Sequence, residues 1–345
     1  MPPTNRASWL TAKQCPNVVS SAPYTSPSPN ELVIKTKAIA LNPADVIVQK
    51  LGILIQKYPA ILGCDVAGEV VEIHDSLADV YNIGDRVIGA ASCLKTKDGA
   101  YCYSAFQEYV VLKAPCIAKI PQGVEFEDAV VLPLGVSTAA SCLFMGETLG
   151  LIPPFVDSSQ AGQGKTLLIW GASSSVGSCG LQLAVQAGYQ AVGVASKRNH
   201  AMVDSLGATK CFDQNESSIV EDIVTYLEGK DVVGAFDAIS QDSTLNAVCD
   251  ILDRSGGRKL AASVKPGAEA KATKGVEIKT NFMIDMAGIG PFQEALWQWL
   301  NKAMEENKIK YFPQSEVVGK GLEDVQKAVD LLAKGISAKK LVVLI

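Results

Sequence analysis

Apolar and polar positions follow two rhythms along this chain. In the first third they alternate with period two, at 31–40 (ELVIKTKAIA), 68–73 (GEVVEI), 85–89 (DRVIG) and 105–112 (AFQEYVVL), with Gly, Pro, Asn and Asp between the runs. Alternation sends one set of side chains into a core and the other toward water, so these segments read as short strands of a partly antiparallel barrel. A stretch rich in Pro, Ser and Gly at 151–164 (LIPPFVDSSQAGQG) reads as a surface loop. Beyond it the rhythm changes. Residues 166–170 (TLLIW) form a continuous apolar run, as a strand covered on both faces requires. A small-residue turn, a helix-like 178–187 and an apolar 191–195 (AVGVA) follow. Helix at 200–207, strand at 211–213, amphipathic helix at 217–228 and strands at 232–239 and 259–264 continue the alternation. Strand and helix in turn predict βαβ units and a parallel sheet. Helices near 291–307 and 322–334 and a strand at 340–345 close the chain.

The most informative segment is 166–184, TLLIWGASSSVGSCGLQLA. A buried strand ends at Trp170, the turn Gly171-Ala-Ser-Ser-Ser-Val-Gly177 follows, and a helix opens. Backbone N–H groups at a helix start lack partners and carry the positive end of its dipole, so a diphosphate fits there. Small residues allow close approach, and Gly177 lets helix and strand pack tightly. The usual middle glycine is missing, and the hydroxyls of Ser173, Ser174 and Ser175, with the Val176 backbone, stand in as donors to phosphate. The alternative is a tight turn with no ligand. An acidic residue at the end of the next strand would bind a ribose 2′-OH and repel a 2′-phosphate. That strand instead runs into Ser196, Lys197, Arg198 and Asn199, one hydroxyl and two cations with no carboxylate. Lys and Arg match phosphate in charge, so NADPH is expected over NADH; the alternative is a solvated basic turn.

Composition narrows the class. The chain has 345 residues, 48% hydrophobic and 19% charged, enough for about two domains with buried cores and too apolar for a disordered chain. A formal charge of -5 leaves no electrostatic footprint for nucleic acid. The two histidines, His74 and His200, exclude a three-histidine site. Nine cysteines are scattered without a C-x-x-C pair, as in a reducing, cytoplasmic setting. The N-terminal residues lack an apolar signal core, and the uncharged run 129–146 is broken by Pro133, Gly135 and hydroxyl residues, so a buried helix is expected there, not a membrane span.

Six further segments carry a resemblance: Leu41-Asn-Pro-Ala-Asp45, 59–71 (PAILGCDVAGEVV), Gly84-Asp-Arg-Val87, 132–139 (LPLGVSTA), 321–326 (GLEDVQ) and 337–342 (SAKKLV). Together they resemble the medium-chain dehydrogenase/reductases over nearly the whole chain. The serine-rich turn, the Pro/Ser loop and 196–199 are most similar to the fungal branch that includes trans-acting enoyl reductases of polyketide synthesis. The resemblance implies an α/β chain with a GroES-like, partly open β-barrel catalytic domain at 1–125 and 284–345 and a Rossmann domain, a doubly wound parallel sheet, at 126–283.

The family contains zinc-dependent and zinc-free members. The positions matching the Cys, His and Cys ligands of the former are Asn42, Cys64 and Leu134, of which only Cys64 can coordinate, and Cys93 and Cys102 lack the partners of a structural zinc lobe. The resemblance therefore implies no metal site. Without a Lewis acid, the easier chemistry is hydride addition to a conjugated acceptor. The expected activity is NADPH-dependent reduction of an activated C=C bond, in an enone or an enoyl thioester, with a trans-acting enoyl reductase of secondary metabolism as its narrower form. Quinone reduction and a non-catalytic NADPH-binding sensor are the alternatives. The expected partners are a small-molecule or carrier-bound acyl substrate, with no nucleic acid and no membrane, for a monomer or homodimer.

By the same resemblance Asn42 and Thr138 lie near the nicotinamide, and with Tyr58 they are the weak catalytic candidates; no proton donor is named. The Ile239–Ser240 backbone is expected on the nicotinamide side, with Asp237 structural and Asp45 bracing its loop. Lys340 is expected either near a cofactor phosphate or, with Lys339, in a surface charge pair. His74 is expected exposed with positive φ, His200 solvated or against adenine, and Trp297, Trp299 and Leu300 in a core or dimer contact.

Overall fold

The computed structural model describes residues 3–97, 100–156, 162–281 and 290–345. The chain divides into two compact units, Met1–Leu134 with Ile284–Ile345, and Gly135–Met283. Residues 126–134 thus join the first unit, later than the expected boundary at 125. Contacts explain the difference: Arg86 lies over the Phe126 ring at 4.3 Å, Ser315 donates to Asp128, and the Leu134 N–H donates to Asp65.

In the first unit, Glu31–Ala40 is the central strand. It pairs antiparallel with Asp65–Ile73, Tyr109–Lys113 and Lys339–Leu344, and the sheet continues through Arg86–Ala90 to Ile117–Lys119. Asn5–Leu10 centres a second sheet with Asn17–Ala22 and Ala60–Ile61, strands that the alternation did not single out. The apolar sides of these strands meet in one core that includes Leu10, Ile34, Val66, Val87, Phe106 and Leu341. The register matters for the site. Ala40 pairs with Asp65 on one side and Val342 on the other, so the loop after Ala40, the start of Asp65–Ile73 and the start of Lys339–Leu344 share one end of the sheet.

The second unit is a six-stranded, wholly parallel sheet. Its order is Lys210–Asp213, Gln190–Ala195, Lys165–Trp170, Asp231–Asp237, Leu260–Ser263, Glu277–Thr280. The chain steps outward from Lys165–Trp170 on one side and then returns to build the other, which makes the carboxyl end of that strand the topological switch point where ligands bind in such sheets. Helix Asp242–Arg254, absent from the sequence reading, buries Leu245, Val248, Ile251 and Leu252 along one stripe. Each of these side chains contributes about 1.5–3 kcal/mol on burial. The stretch Phe126–Phe144 is long and apolar enough to cross a membrane, but 78% of its most apolar window is buried within the protein.

Some expectations are corrected. His74 has φ −73, not positive; it caps a short 3-10 turn by accepting the Ser76 N–H on Nδ1. Residues 105–108 are loop, not strand: the backbone bonds of Ala105 and Phe106 go to Gly63 and Leu62. Trp297 and Leu300 are buried in helix Gly290–Glu305, whereas Trp299 is only half-buried. Part of the expected Pro/Ser loop, 157–161, lies outside the described residues.

Candidate functional site

Two glycines shape the turn after Lys165–Trp170. Gly171 has φ +76, and a Cβ there would lie 2.4 Å from Ile239 Cγ1. At Gly177 a Cβ would lie 2.1 Å from the Gly171 carbonyl oxygen. Between them Ser174 caps helix Ser175–Gln186: its backbone is extended and its Oγ accepts the Gly177 N–H at 3.0 Å. The Val176 N–H ahead of this bond finds no acceptor among the described residues. The Ser173 Oγ accepts from Asn199 Nδ2 at 3.2 Å. In both bonds the serine oxygen is the acceptor, so neither bond uses the hydroxyl proton of Ser173 or Ser174.

Asn199 was not singled out in the sequence, yet it ties the serine turn to the basic turn. It is 9% exposed and follows Ser196, Lys197 and Arg198, whose two cationic side chains are exposed. Residues 195–199 carry no carboxylate, as the sequence shows, but the neighbouring strand brings one level with them. Ala195 pairs with Asp213 across the parallel ladder, and Asp213 Oδ1 accepts the Lys197 N–H at 3.3 Å. N–H groups of Asn215 and Lys197 hold the Asp213 carboxyl below its ordinary range. His200 places Nε2 3.3 Å from the Ala195 carbonyl oxygen.

Across the switch point, Asp237 is fully buried. Its Oδ1 accepts the Ile239 and Ser240 N–H groups at 2.9 and 2.8 Å, and its Oδ2 accepts from Thr244 Oγ1 at 2.6 Å. Desolvation nevertheless pushes its pKa up. Asp237 thus holds a tight turn in which Ser240 adopts φ +58 and donates its hydroxyl to the Asp237 carbonyl. Ile239 remains 38% exposed beside Gly171. Thr138 belongs to helix Pro133–Phe144, is 8% exposed, and its carbonyl accepts the Ser141 hydroxyl.

The first unit holds Asn42, Tyr58 and Lys340. Lys340 is not a surface residue: it is 2% exposed, its Nζ lies 2.9 Å from Asp65 Oδ2, and it donates to Asn42 Oδ1 at 2.5 Å. Asn42 Nδ2 donates to the same Asp65 oxygen at 2.8 Å, closing a ring of three side chains, and Asp65 Oδ1 takes the Leu134 N–H at 2.7 Å. Asp45, at the start of helix Pro43–Leu51, accepts the Asn42 N–H. Burial, with Asp65 nearby, pushes the Asp45 carboxyl up to about 7 against the bonds that favour its charge. Cys64 Sγ lies 3.4 Å from Cys93 Sγ, and that contact and burial raise the Cys64 thiol well above its usual range. Tyr58 is half-buried, and its hydroxyl is buried without a partner among the described residues. The structure therefore brings Asn42 and Lys340 together, while Tyr58 touches neither through a hydrogen bond.

Residues 28–122 match the alcohol dehydrogenase GroES-like domain and 175–299 match the family described as zinc-binding dehydrogenase. The chain is 39% identical over 373 residues to the dehydrogenase pigH of Monascus ruber, covering 99% of each protein. It is 34% identical over 321 residues to the trans-enoyl reductase himH of Aspergillus japonicus, covering 91% of this chain and 89% of that one. The solved quinone oxidoreductase of Coxiella burnetii shares the fold, with a TM-score of 0.70, 24% identity and 99% of both chains covered. A barrel-type unit, a parallel sheet with a small-residue turn at its switch point, and relatives matched from end to end lead to one conclusion: the chain belongs to the medium-chain dehydrogenase/reductase family, oxidoreductases that use a nicotinamide cofactor.

Proposed function

We propose that this protein is a zinc-free, NADPH-dependent reductase of activated C=C bonds, acting on an enone or an enoyl thioester. One observation carries the cofactor reading: Asn199 joins the serine-lined helix start to the turn bearing Lys197 and Arg198. The first half suits a diphosphate, since a Cβ at Gly177 would collide with the Gly171 backbone and the Val176 N–H awaits an acceptor. The second half suits a 2′-phosphate. Ser173, Ser174, Ser175 and Val176 would hold the diphosphate, and Ser196, Lys197 and Arg198 the ribose phosphate. Ile239, Ser240 and Thr138, all in the second unit, are proposed for the nicotinamide end. When bound, the reduced nicotinamide supplies hydride.

The residues at the zinc-matching positions do not fit zinc. Asn42 has committed its carboxamide to Asp65 and Lys340, Leu134 offers no ligand atom from its side chain, and the Cys64 thiol is held neutral. An ammonium in the same cluster would also repel a dication. Only metal-independent activation is therefore proposed, with a neutral or thioester carbonyl accepting charge as its conjugated carbon takes hydride. The end-to-end likeness to a trans-enoyl reductase supports the enoyl thioester, with the acyl chain carried by a partner protein, as the substrate.

The test mixes purified protein with NADPH and, separately, enoyl thioesters, 2-alkenals and quinones, following absorbance at 340 nm, with metal content measured on the same sample. Oxidation of NADPH by enoyl thioesters with substoichiometric zinc is expected. Turnover of quinones alone would replace the substrate assignment. Bound NADPH with no turnover across the panel would make the protein a binding partner, and stoichiometric zinc would overturn the zinc-free reading.

A further inference from the structure

We propose that Asp213 is a specificity-determining residue, a counter-charge that weakens the hold of the basic turn on a 2′-phosphate and so keeps the protein open to the non-phosphorylated nucleotide as well. The proposal rests on the nucleotide site described above and adds a residue to it. The strand that leads into the basic turn ends without an acid, but the parallel register brings one level with it from the neighbouring strand, Ala195 against Asp213. One oxygen of this carboxylate, Oδ1, is saturated by the Lys197 N–H at 3.3 Å, the Asn215 N–H at 3.1 Å and Asn215 Nδ2 at 3.0 Å. The other, Oδ2, has no partner among the described residues. Among the described residues neither Lys197 nor Arg198 forms an ion pair, with Asp213 or with any other acid. The turn therefore carries two cations outside any ion pair among the described residues, and the carboxylate that accepts its Lys197 N–H keeps one oxygen uncommitted there.

The charges decide what such a turn prefers. A 2′-phosphate carries nearly two negative charges near neutral pH. It gains from Lys197 and Arg198 and loses to Asp213. A ribose 2′-OH gains little from the cations but can donate to a carboxylate oxygen. The hydrogen bonds that stabilise the charged form of Asp213 keep it ionised at neutral pH. Because these groups are partly or fully exposed, their mutual effect is moderate and falls with added salt.

Asp213→Asn is the test variant. The carboxamide oxygen can still accept the N–H groups that Oδ1 holds, so the charge goes and the loop stays; an unchanged melting temperature checks this. Dissociation constants for NADPH, NADH, adenosine 2′,5′-bisphosphate and 5′-AMP are measured by calorimetry at low and moderate salt for both proteins. The expected result is an increase of about tenfold in the NADPH-to-NADH affinity ratio of the variant, matched by the two adenosine fragments and reduced by salt. A ratio unchanged within about twofold, with both nucleotides binding, overturns the role of Asp213 and leaves the cofactor site standing. Failure of the unmutated protein to bind either nucleotide removes the site itself, and this inference with it.

Discussion

Gly177→Ala sets two effects of opposite sign against each other. Within a helix, alanine is favoured over glycine by about 1 kcal/mol, so replacement at an exposed helical position should stabilise. Here the added Cβ would sit 2.1 Å from the Gly171 carbonyl oxygen, 2.8 Å from its carbon and 2.9 Å from Ser174 Oγ. A carbon approaches a carbonyl oxygen no closer than about 3.3 Å without strain, so strand end and helix start must separate by about 1 Å. Both atoms of closest contact are backbone, and no rotamer change relieves them. Overpacking of this kind costs about 1–3 kcal/mol, which offsets or outweighs the propensity gain and leaves a net loss of up to about 2 kcal/mol. For a unit of this size that is a fall of up to about 8 °C in melting temperature. The effect on ligand should be larger, because the same shift moves the Ser174 cap and the first-turn N–H groups; a displacement near 1 Å can cost about a hundredfold. Calorimetry should therefore show a small drop in Tm and a large drop in NADPH affinity. Gly146→Ala is the control: no atom lies within 4 Å of its Cβ position, and the change should be neutral or slightly stabilising. A higher Tm and unchanged affinity in Gly177→Ala would refute the close packing of this turn.

Lys340→Met should destabilise by about 3–5 kcal/mol in urea unfolding, because it strands a fully buried Asp65, and adding Asp65→Leu should recover part of the loss; a cost under about 1 kcal/mol would mean the pair is solvated. The folded-state pKa of Asp45, about 7, lies above its ordinary 3.8, so its stabilising contribution is present below pH 4 and is lost as pH rises through 7. Asp45→Asn should accordingly gain on the unmutated protein by on the order of 2–3 kcal/mol between pH 5 and 8, and parallel pH curves would show that Asp45 is not desolvated. Lys197→Ala should weaken NADPH by about tenfold or more with little change in NADH, measured by fluorescence titration; equal weakening would remove the 2′-phosphate assignment.

What the chain discloses to a reader of sequence depends on how far apart the interacting groups lie. The strand Lys165–Trp170, its small-residue turn and the helix that follows are adjacent in sequence, and hydrophobic rhythm with turn chemistry suffices to place them. Asp213 is not legible in this way, because an acid beside the ribose is defined by a place in space and Asp213 lies on a different strand from the basic turn. In a parallel sheet the end of the neighbouring strand occupies the same place, as the pairing of Ala195 with Asp213 shows. His74 went wrong by analogy: a position expected to need positive φ is instead served by a ring nitrogen that caps a turn. Lys340 is the hardest, since nothing near it in sequence distinguishes it from the half-buried Lys339 that donates to Gln314. Its role follows only once Ala40 is seen between Asp65 and Val342, which sets residue 340 opposite the loop that carries Asn42. Asp65 is fully buried, and a buried carboxylate requires a positive partner whatever stands at positions 42, 64 and 134. The strand Lys339–Leu344 thus supplies, as the Lys340 ammonium, the positive charge that the buried Asp65 needs for this end of the sheet to fold.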